Sequence, residues 1–254
     1  MVQLRQVAQM QVWFSRPVIC DILQTNLKHP IPLLVYPAPF QRRVTIETGG
    51  FRAIEIKIGE GDLENDVATV SAVRAMIGPT VKLRVDCNQS LDPIEACRRI
   101  TRLADFDVYW VEEPVKAEDL AGHAQVRAAT SAPIQTGENW WFPRDMAKAI
   151  AAGASDYAML DVMKIGGVTG WLSALGQAEG ASLPISSHIF VEASAHLLAI
   201  TPTVHWLEHL DIAGAILAEP NIAVNGTVRA RGTGIRPRLG RTCDRASRNW
   251  QVLI

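Results

Sequence analysis

The chain has 254 residues, 48% of them hydrophobic and 18 of them glycine, which is enough for one well-filled core the size of a single β/α barrel and requires no second full domain. Its 25 Lys+Arg nearly balance 26 Asp+Glu, and a net charge of −1 recruits neither nucleic acid nor a membrane surface, so a small molecule is the expected partner. Cys20, Cys87, Cys97 and Cys243 form no CxxC pair, so neither a zinc site nor a disulfide framework is indicated, and a reducing cytoplasm fits best.

In chain order, residues 1–30 read as helical and amphipathic and precede the barrel. Arg5 and several Gln stand where a signal sequence would need an apolar stretch, and nowhere is there a run of ~18 apolar residues for a membrane span. Eight strand-like runs follow: IPLLVY (31–36), FRAIEIKI (51–58), VKLRVD (81–86), DVYWVEE (107–113), APIQTGE (132–138), YAMLDV (157–162), LPISSH (183–188) and VHWLEHL (204–210). Between most of them lie helical patterns such as ENDVATVSAVRAMIG and PRDMAKAIAAG, the second opened by Pro143 and closed by Gly153. Alternation of this kind predicts a parallel sheet closed as a β/α barrel over residues 31–220. The segment between Val35 and Phe51 is too short for a normal crossover helix, so either the first barrel helix is shortened or missing or the first strand lies elsewhere. Residues 221–254 form an irregular basic tail with seven Arg and one acid, Asp244, read as a solvated or partner-packed surface.

Asp86, Glu112 and Glu138 each close a strand-like run, and each lies 26 residues after the last. That pitch is one strand plus one helix, so the three acids reach the same rim of a barrel, where ligands bind. Carboxylates converging on one point repel unless a cation sits among them, and hard oxygen donors suit Mg²⁺, with Mn²⁺ as the alternative. Glu55 and Lys57, two apart, share one strand face at the barrel mouth and make Lys57 a candidate base. Asp161, His188 and Glu208 close the later runs, and Asp161 on the neighbouring strand is placed to orient the His188 imidazole and raise its basicity.

The sequences VDCNQS, WVEEP, TGENW, DVMKIGGVTGW, SSHIFVEASAHLL and HWLEHLD, taken in this order, resemble the mandelate racemase group of the enolase superfamily over roughly residues 31–220. The resemblance implies a TIM-type (β/α)7β barrel, Mg²⁺ held by Asp86, Glu112 and Glu138, and abstraction of the proton α to a carboxylate. It implies that His188, paired with Asp161, serves one substrate face and Lys57 the other. Glu208 would stand as a protonated acid hydrogen-bonding the developing enediolate, Asn88 and Lys164 would line the site, and Glu113 would support it. A proton α to a carboxylate is too weakly acidic for an unaided histidine, so the division of labour is physically required.

Three departures from that group stand out. The second-strand motif usually reads Lys-x-Lys, and its first lysine, which helps hold the substrate carboxylate, is here Glu55. A glutamate there should keep Lys57 protonated rather than poised as a base. The chain also begins near what resembles the last helix of the group's capping domain, and after about Gly234 the similarity ends. Two activities follow from the resemblance: racemisation of a 2-hydroxy acid, or loss of water from it as in an acid-sugar dehydratase. A third reading, a degenerate non-catalytic metal-binding barrel, is suggested by Glu55 and by the missing cap, whose absence would also expose surface for a homo-oligomer.

Overall fold

A computed structural model of the chain describes Gln6–Gln11, 50–210 and, apart from 211, 215, 233, 236 and 239, the stretch on to 240. Seven of the expected runs are strands: β2 (Ala53–Lys57), β3 (Lys82–Asp86), β4 (Val108–Glu112), β5 (Ile134–Thr136), β6 (Tyr157–Asp161), β7 (Ile185–His188) and β8 (Val204–His209). Each pairs in parallel with the next. The expected strand at 31–36 lies outside the described residues.

The seam between β8 and β2 is closed by β1 (Gln6–Gln11), parallel to both, with Met10 opposite Ile54 and Gln9 opposite Glu208. This corrects the helical reading of residues 1–30 at 6–11. Glutamine and methionine favour helices locally, but the open edges of β2 and β8 offer two rows of backbone partners, and pairing with both outweighs a weak local propensity. The tail also departs from a wholly irregular course, because β9 (Thr227–Val228) pairs antiparallel to β1 and buries Val228.

The helices start where the sequence supplies caps. Asp62 accepts from Asn65 N at 2.8 Å ahead of α1 (Leu63–Ile77), and Asp92 accepts from the backbones of Ile94 and Glu95 ahead of α2 (Pro93–Arg102). Asp119 caps α3 (Leu120–Ala129), while α4 (Phe142–Ala152) carries Pro143 in its first turn and stops at Gly153, whose φ of 63° suits a residue without a side chain. Then come α5 (Gly167–Gly180) and α6 (Val191–Leu198). Among the described residues no helix is long and apolar enough to cross a membrane.

Alternate strand residues pack outward against the helices, as Leu83, Val85, Val111 and Ile134 do, and the intervening ones fill the barrel. One layer below the mouth, Arg84 is fully buried, its guanidinium 4.4 Å from the Trp110 ring centre and 5.4 Å from that of Trp206. Nearer the N-terminal ends, Tyr109 Oη and His205 Nε2 lie 2.8 Å apart. On the outer side, Trp171 of α5 is wholly buried and donates to Thr201 Oγ1 at 3.1 Å. Trp171→Ala should destabilise the fold by about 3–5 kcal/mol through the cavity it leaves, measured by urea unfolding followed by circular dichroism. A loss below about 1 kcal/mol would show that this layer collapses around the gap.

Candidate active site

Parallel pairing in register sets the site side by side. Lys57 is opposite Asp86, Asp86 opposite Glu112, and Asp161 opposite His188, each pair at the C-terminal ends of adjacent strands. Glu138 follows β5 by two residues. Gly137 carries the turn at φ 130°, where an added side-chain carbon would lie 2.8 Å from the Met159 carbonyl oxygen. Glu208 sits in β8, fully buried, with its Oε2 accepting from Ile189 N at 2.8 Å.

Two of the three evenly spaced acids, Asp86 and Glu112, form a tight group with Glu55, each offering an oxygen within 4.8 Å of the others. Glu138 belongs to the same mouth, since its charge acts on both Asp86 and Glu112, but its own contacts are with Asn139 Nδ2 at 3.0 Å and His188 Nε2 at 3.2 Å. Lys57 Nζ donates to Asp86 Oδ2. Burial alone would lower the Lys57 pKa, but Asp86, Glu55 and Glu112 together hold the ammonium above the ordinary lysine range. Burial lifts the Asp86 carboxyl to about 7 against the pull of Lys57, and burial with Glu55 and Asp86 pushes Glu112 well up.

His188 Nδ1 lies 2.7 Å from Asp161 Oδ2, and Asp161 Oδ1 accepts from the backbones of Met163 and Lys164 at 2.7 and 3.0 Å. That leaves Nε2 facing Glu138. Burial would lower the His188 pKa, yet the Asp161 hydrogen bond and the charges of Glu208 and Glu138 raise it to about 9. For Asp161 these hydrogen bonds outweigh burial and hold the carboxyl below its usual range. Burial raises Glu208 to about 8, with His188 opposing and Glu55 and Glu138 adding.

Asn88 touches the site through its backbone, its N–H donating to Asp86 Oδ1 at 2.7 Å from a left-handed conformation of φ 43°. Lys164 Nζ donates to Asn139 Oδ1 at 2.7 Å, and Asn139 Nδ2 reaches both Glu113 and Glu138. Gln89 completes the chain, donating to Glu113 Oε2 at 2.9 Å. Burial and Glu138 lift Glu113 to about 7 against the hydrogen bonds from Asn139 and Gln89. Asn139, Gln89 and Gln135, which donates to Glu112 Oε2 at 3.2 Å, escaped the sequence reading, although each stands within three residues of a candidate acid. Arg84 also escaped it; its signal is the inward position two residues before Asp86.

The donor set fits a hard divalent cation. Glu112 Oε1 is buried with no hydrogen-bond partner among the described residues, beside two further carboxylates, and such oxygens are stable when a cation takes their charge.

A parallel barrel with acids, a His–Asp pair and a lysine at its C-terminal rim defines a class of sheet-mouth sites, and sequence comparison identifies the family. The family model "Enolase C-terminal domain-like" matches residues 40–241, and the chain belongs to that family. It is 31% identical over 204 residues to L-talarate/galactarate dehydratase of Salmonella typhimurium, covering 80% of this chain and 50% of that protein. To 3,6-anhydro-alpha-L-galactonate cycloisomerase of Streptomyces coelicolor it is 36% identical over 183 residues, covering 72% and 51% respectively. The chain thus spans about half the length of the curated relatives it matches. Among solved structures, an enolase from Bradyrhizobium complexed with magnesium and mandelic acid is 47% identical with a TM-score of 0.85, covering 96% of this chain and 62% of its own. L-talarate dehydratase from Polaromonas sp. JS666, complexed with Mg and L-glucarate, is 29% identical with a TM-score of 0.81, covering 94% and 63%.

Proposed function

We propose that this chain carries a Mg²⁺-dependent site that abstracts the proton α to the carboxylate of a 2-hydroxy acid, and that its reaction is loss of water, as in an acid-sugar dehydratase. The observation that carries this reading is the asymmetry of the two candidate bases. His188 is oriented by Asp161 with Nε2 turned into the carboxylate mouth, whereas Lys57 is tied to Asp86. One competent base suits a dehydration, whereas racemisation needs a competent base on each face.

Asp86 and Glu112, with Glu138 at the same mouth, would hold Mg²⁺. Bound there, the ion would supply Lewis acidity that disperses enediolate charge and would offset the carboxylate field that keeps His188 protonated. His188 Nε2 takes the α-proton while Asp161 holds Nδ1–H, so the imidazolium that forms stays paired. Glu208, neutral near pH 7, donates a hydrogen bond that strengthens as charge develops on the substrate carboxylate. The protonated His188 is then positioned to deliver its proton to a departing β-hydroxyl. The relatives named as dehydratase and cycloisomerase, and the magnesium in the neighbouring structures, support the same chemistry.

The test is incubation with Mg²⁺ in D₂O and a panel of aldonic, aldaric and simple 2-hydroxy acids, followed by proton NMR and a 2-keto-acid assay. A 2-keto acid carrying deuterium is the expected product. Exchange and stereoinversion without keto acid would replace dehydration by racemisation, and no exchange with any acid would leave the barrel non-catalytic.

A further inference from the structure

The inward positions just below the mouth stand two residues before the mouth groups of their strands: Arg84 before Asp86, Trp110 before Glu112, Ser186 before His188 and Trp206 before Glu208. Arg84, Trp110 and Ser186 are wholly buried, as is Gln135 in β5. None of the three side-chain nitrogens of Arg84 has a hydrogen-bond partner among the described residues. The same holds for Trp110 Nε1, Trp206 Nε1, Gln135 Oε1 and Ser186 Oγ, each a buried atom. Trp110 of β4 and Trp206 of β8 come from opposite sides of the strand ring, and the guanidinium stacks with both, so it reaches the barrel axis.

We infer that these groups form a closed binding site for water on the barrel axis beneath the mouth, centred on the Arg84 guanidinium. This site needs neither the metal nor the reaction proposed above. A buried guanidinium is costly unless its N–H groups are met, and stacking on indole rings satisfies its faces but none of its in-plane donors. Water suits the remaining groups by sign. Arg84, Trp110 and Trp206 supply only donors, Gln135 Oε1 only accepts, and Ser186 Oγ does either. A buried water accepts from the first set and donates to the second, typically making about three hydrogen bonds. An anion such as chloride could not donate to Gln135 Oε1, and it would add to the charges of Glu55, Glu112 and Glu208 that already act on Arg84.

Water here also serves the mouth above. By donating to Gln135 Oε1 it fixes the amide with Nε2 on Glu112 Oε2, which lies 3.2 Å away. By meeting the guanidinium it spares Glu112 from a direct ion pair with Arg84 and leaves Glu112 Oε1 available to a cation.

A crystal structure of the full chain at a resolution that shows ordered water, with a second crystal soaked in sodium bromide, tests the assignment. The expected result is a water oxygen within about 3.2 Å of an Arg84 nitrogen and of Gln135 Oε1 or Ser186 Oγ, with no bromide anomalous peak there. Arg84 hydrogen-bonded directly to a carboxylate with no water between, or anomalous bromide density on the guanidinium, would overturn it. In solution, oxygen-17 magnetic relaxation dispersion counts slowly exchanging internal water molecules. Arg84→Met fills much of the same space without donors and should lower that count by at least about one, whereas Arg84→Lys keeps a charged donor and should retain it. An unchanged count in Arg84→Met would overturn the site, and the parent crystal carries the test if that variant fails to fold by circular dichroism. Both measurements are made without substrate or metal, so their failure is distinct from failure of the proposed dehydration.

Discussion

His188→Asn should reduce α-proton exchange in D₂O by at least about 10³-fold at saturating Mg²⁺, because it removes the nitrogen that faces the mouth while leaving the barrel intact. Asparagine can still meet Asp161, whose second oxygen is already held by the backbones of Met163 and Lys164, so the loss is not a folding effect. Two controls sharpen the point. Mn²⁺ affinity should stay within a few-fold of the parent, and Asp161→Asn should also slow exchange, since the ring then loses the carboxylate that fixes its tautomer. Exchange within tenfold of the parent in His188→Asn would remove His188 from the chemistry.

The second large effect is a difference between the two substrate faces. Exchange from the face that His188 serves should outpace that from the Lys57 face by at least about tenfold near pH 7, where His188, held at about 9, is neutral about once in 100 molecules. An amine with the ordinary lysine pKa is neutral only about once in 2,500 molecules at that pH. In the cation-free site Asp86, Glu55 and Glu112 hold Lys57 above that range in spite of its burial, so less free base remains there. The sign is fixed by linkage: a raised ammonium pKa means the free base becomes available only at higher pH, so exchange on this face should climb as pH rises beyond the lysine range. Stereospecifically deuterated enantiomers of one accepted acid, followed by NMR, separate the faces. Equal rates would show that the Lys57–Asp86 contact opens in turnover.

Much of the site was legible because a β/α barrel converts spacing into position. An acid at the end of a strand-like run stays at the strand end whatever the loops do, which is why Asp86, Glu112, Asp161 and His188 close β3, β4, β6 and β7. Consecutive strands pair, so the adjacency of Asp161 and His188 is legible in the order of the strand-like runs. The effect of Glu55 on Lys57 followed from alternation along one strand, and the raised Lys57 pKa carries that sign.

Other features depended on partners distant in sequence. Residues 6–11 carry no local signal strong enough to make a strand, and their conformation was decided by β8, about 200 residues away, and by β2. The drawing of Glu55 toward Asp86 and Glu112, and the turning of Glu138 toward His188, depend on how far each side chain reaches once the ring has closed. Arg84 looks like an ordinary exposed strand residue until Trp110 and Trp206 from other strands enclose it. The sequence by itself therefore determined the succession of elements, the rim to which the acids come, and the signs of the charges there, because these follow from local periodicity and residue chemistry. Tertiary structure alone decided which carboxylates converge, which candidate base lies against Asp86 and which strand closes the barrel, because ring closure sets the distances between groups that the chain holds far apart.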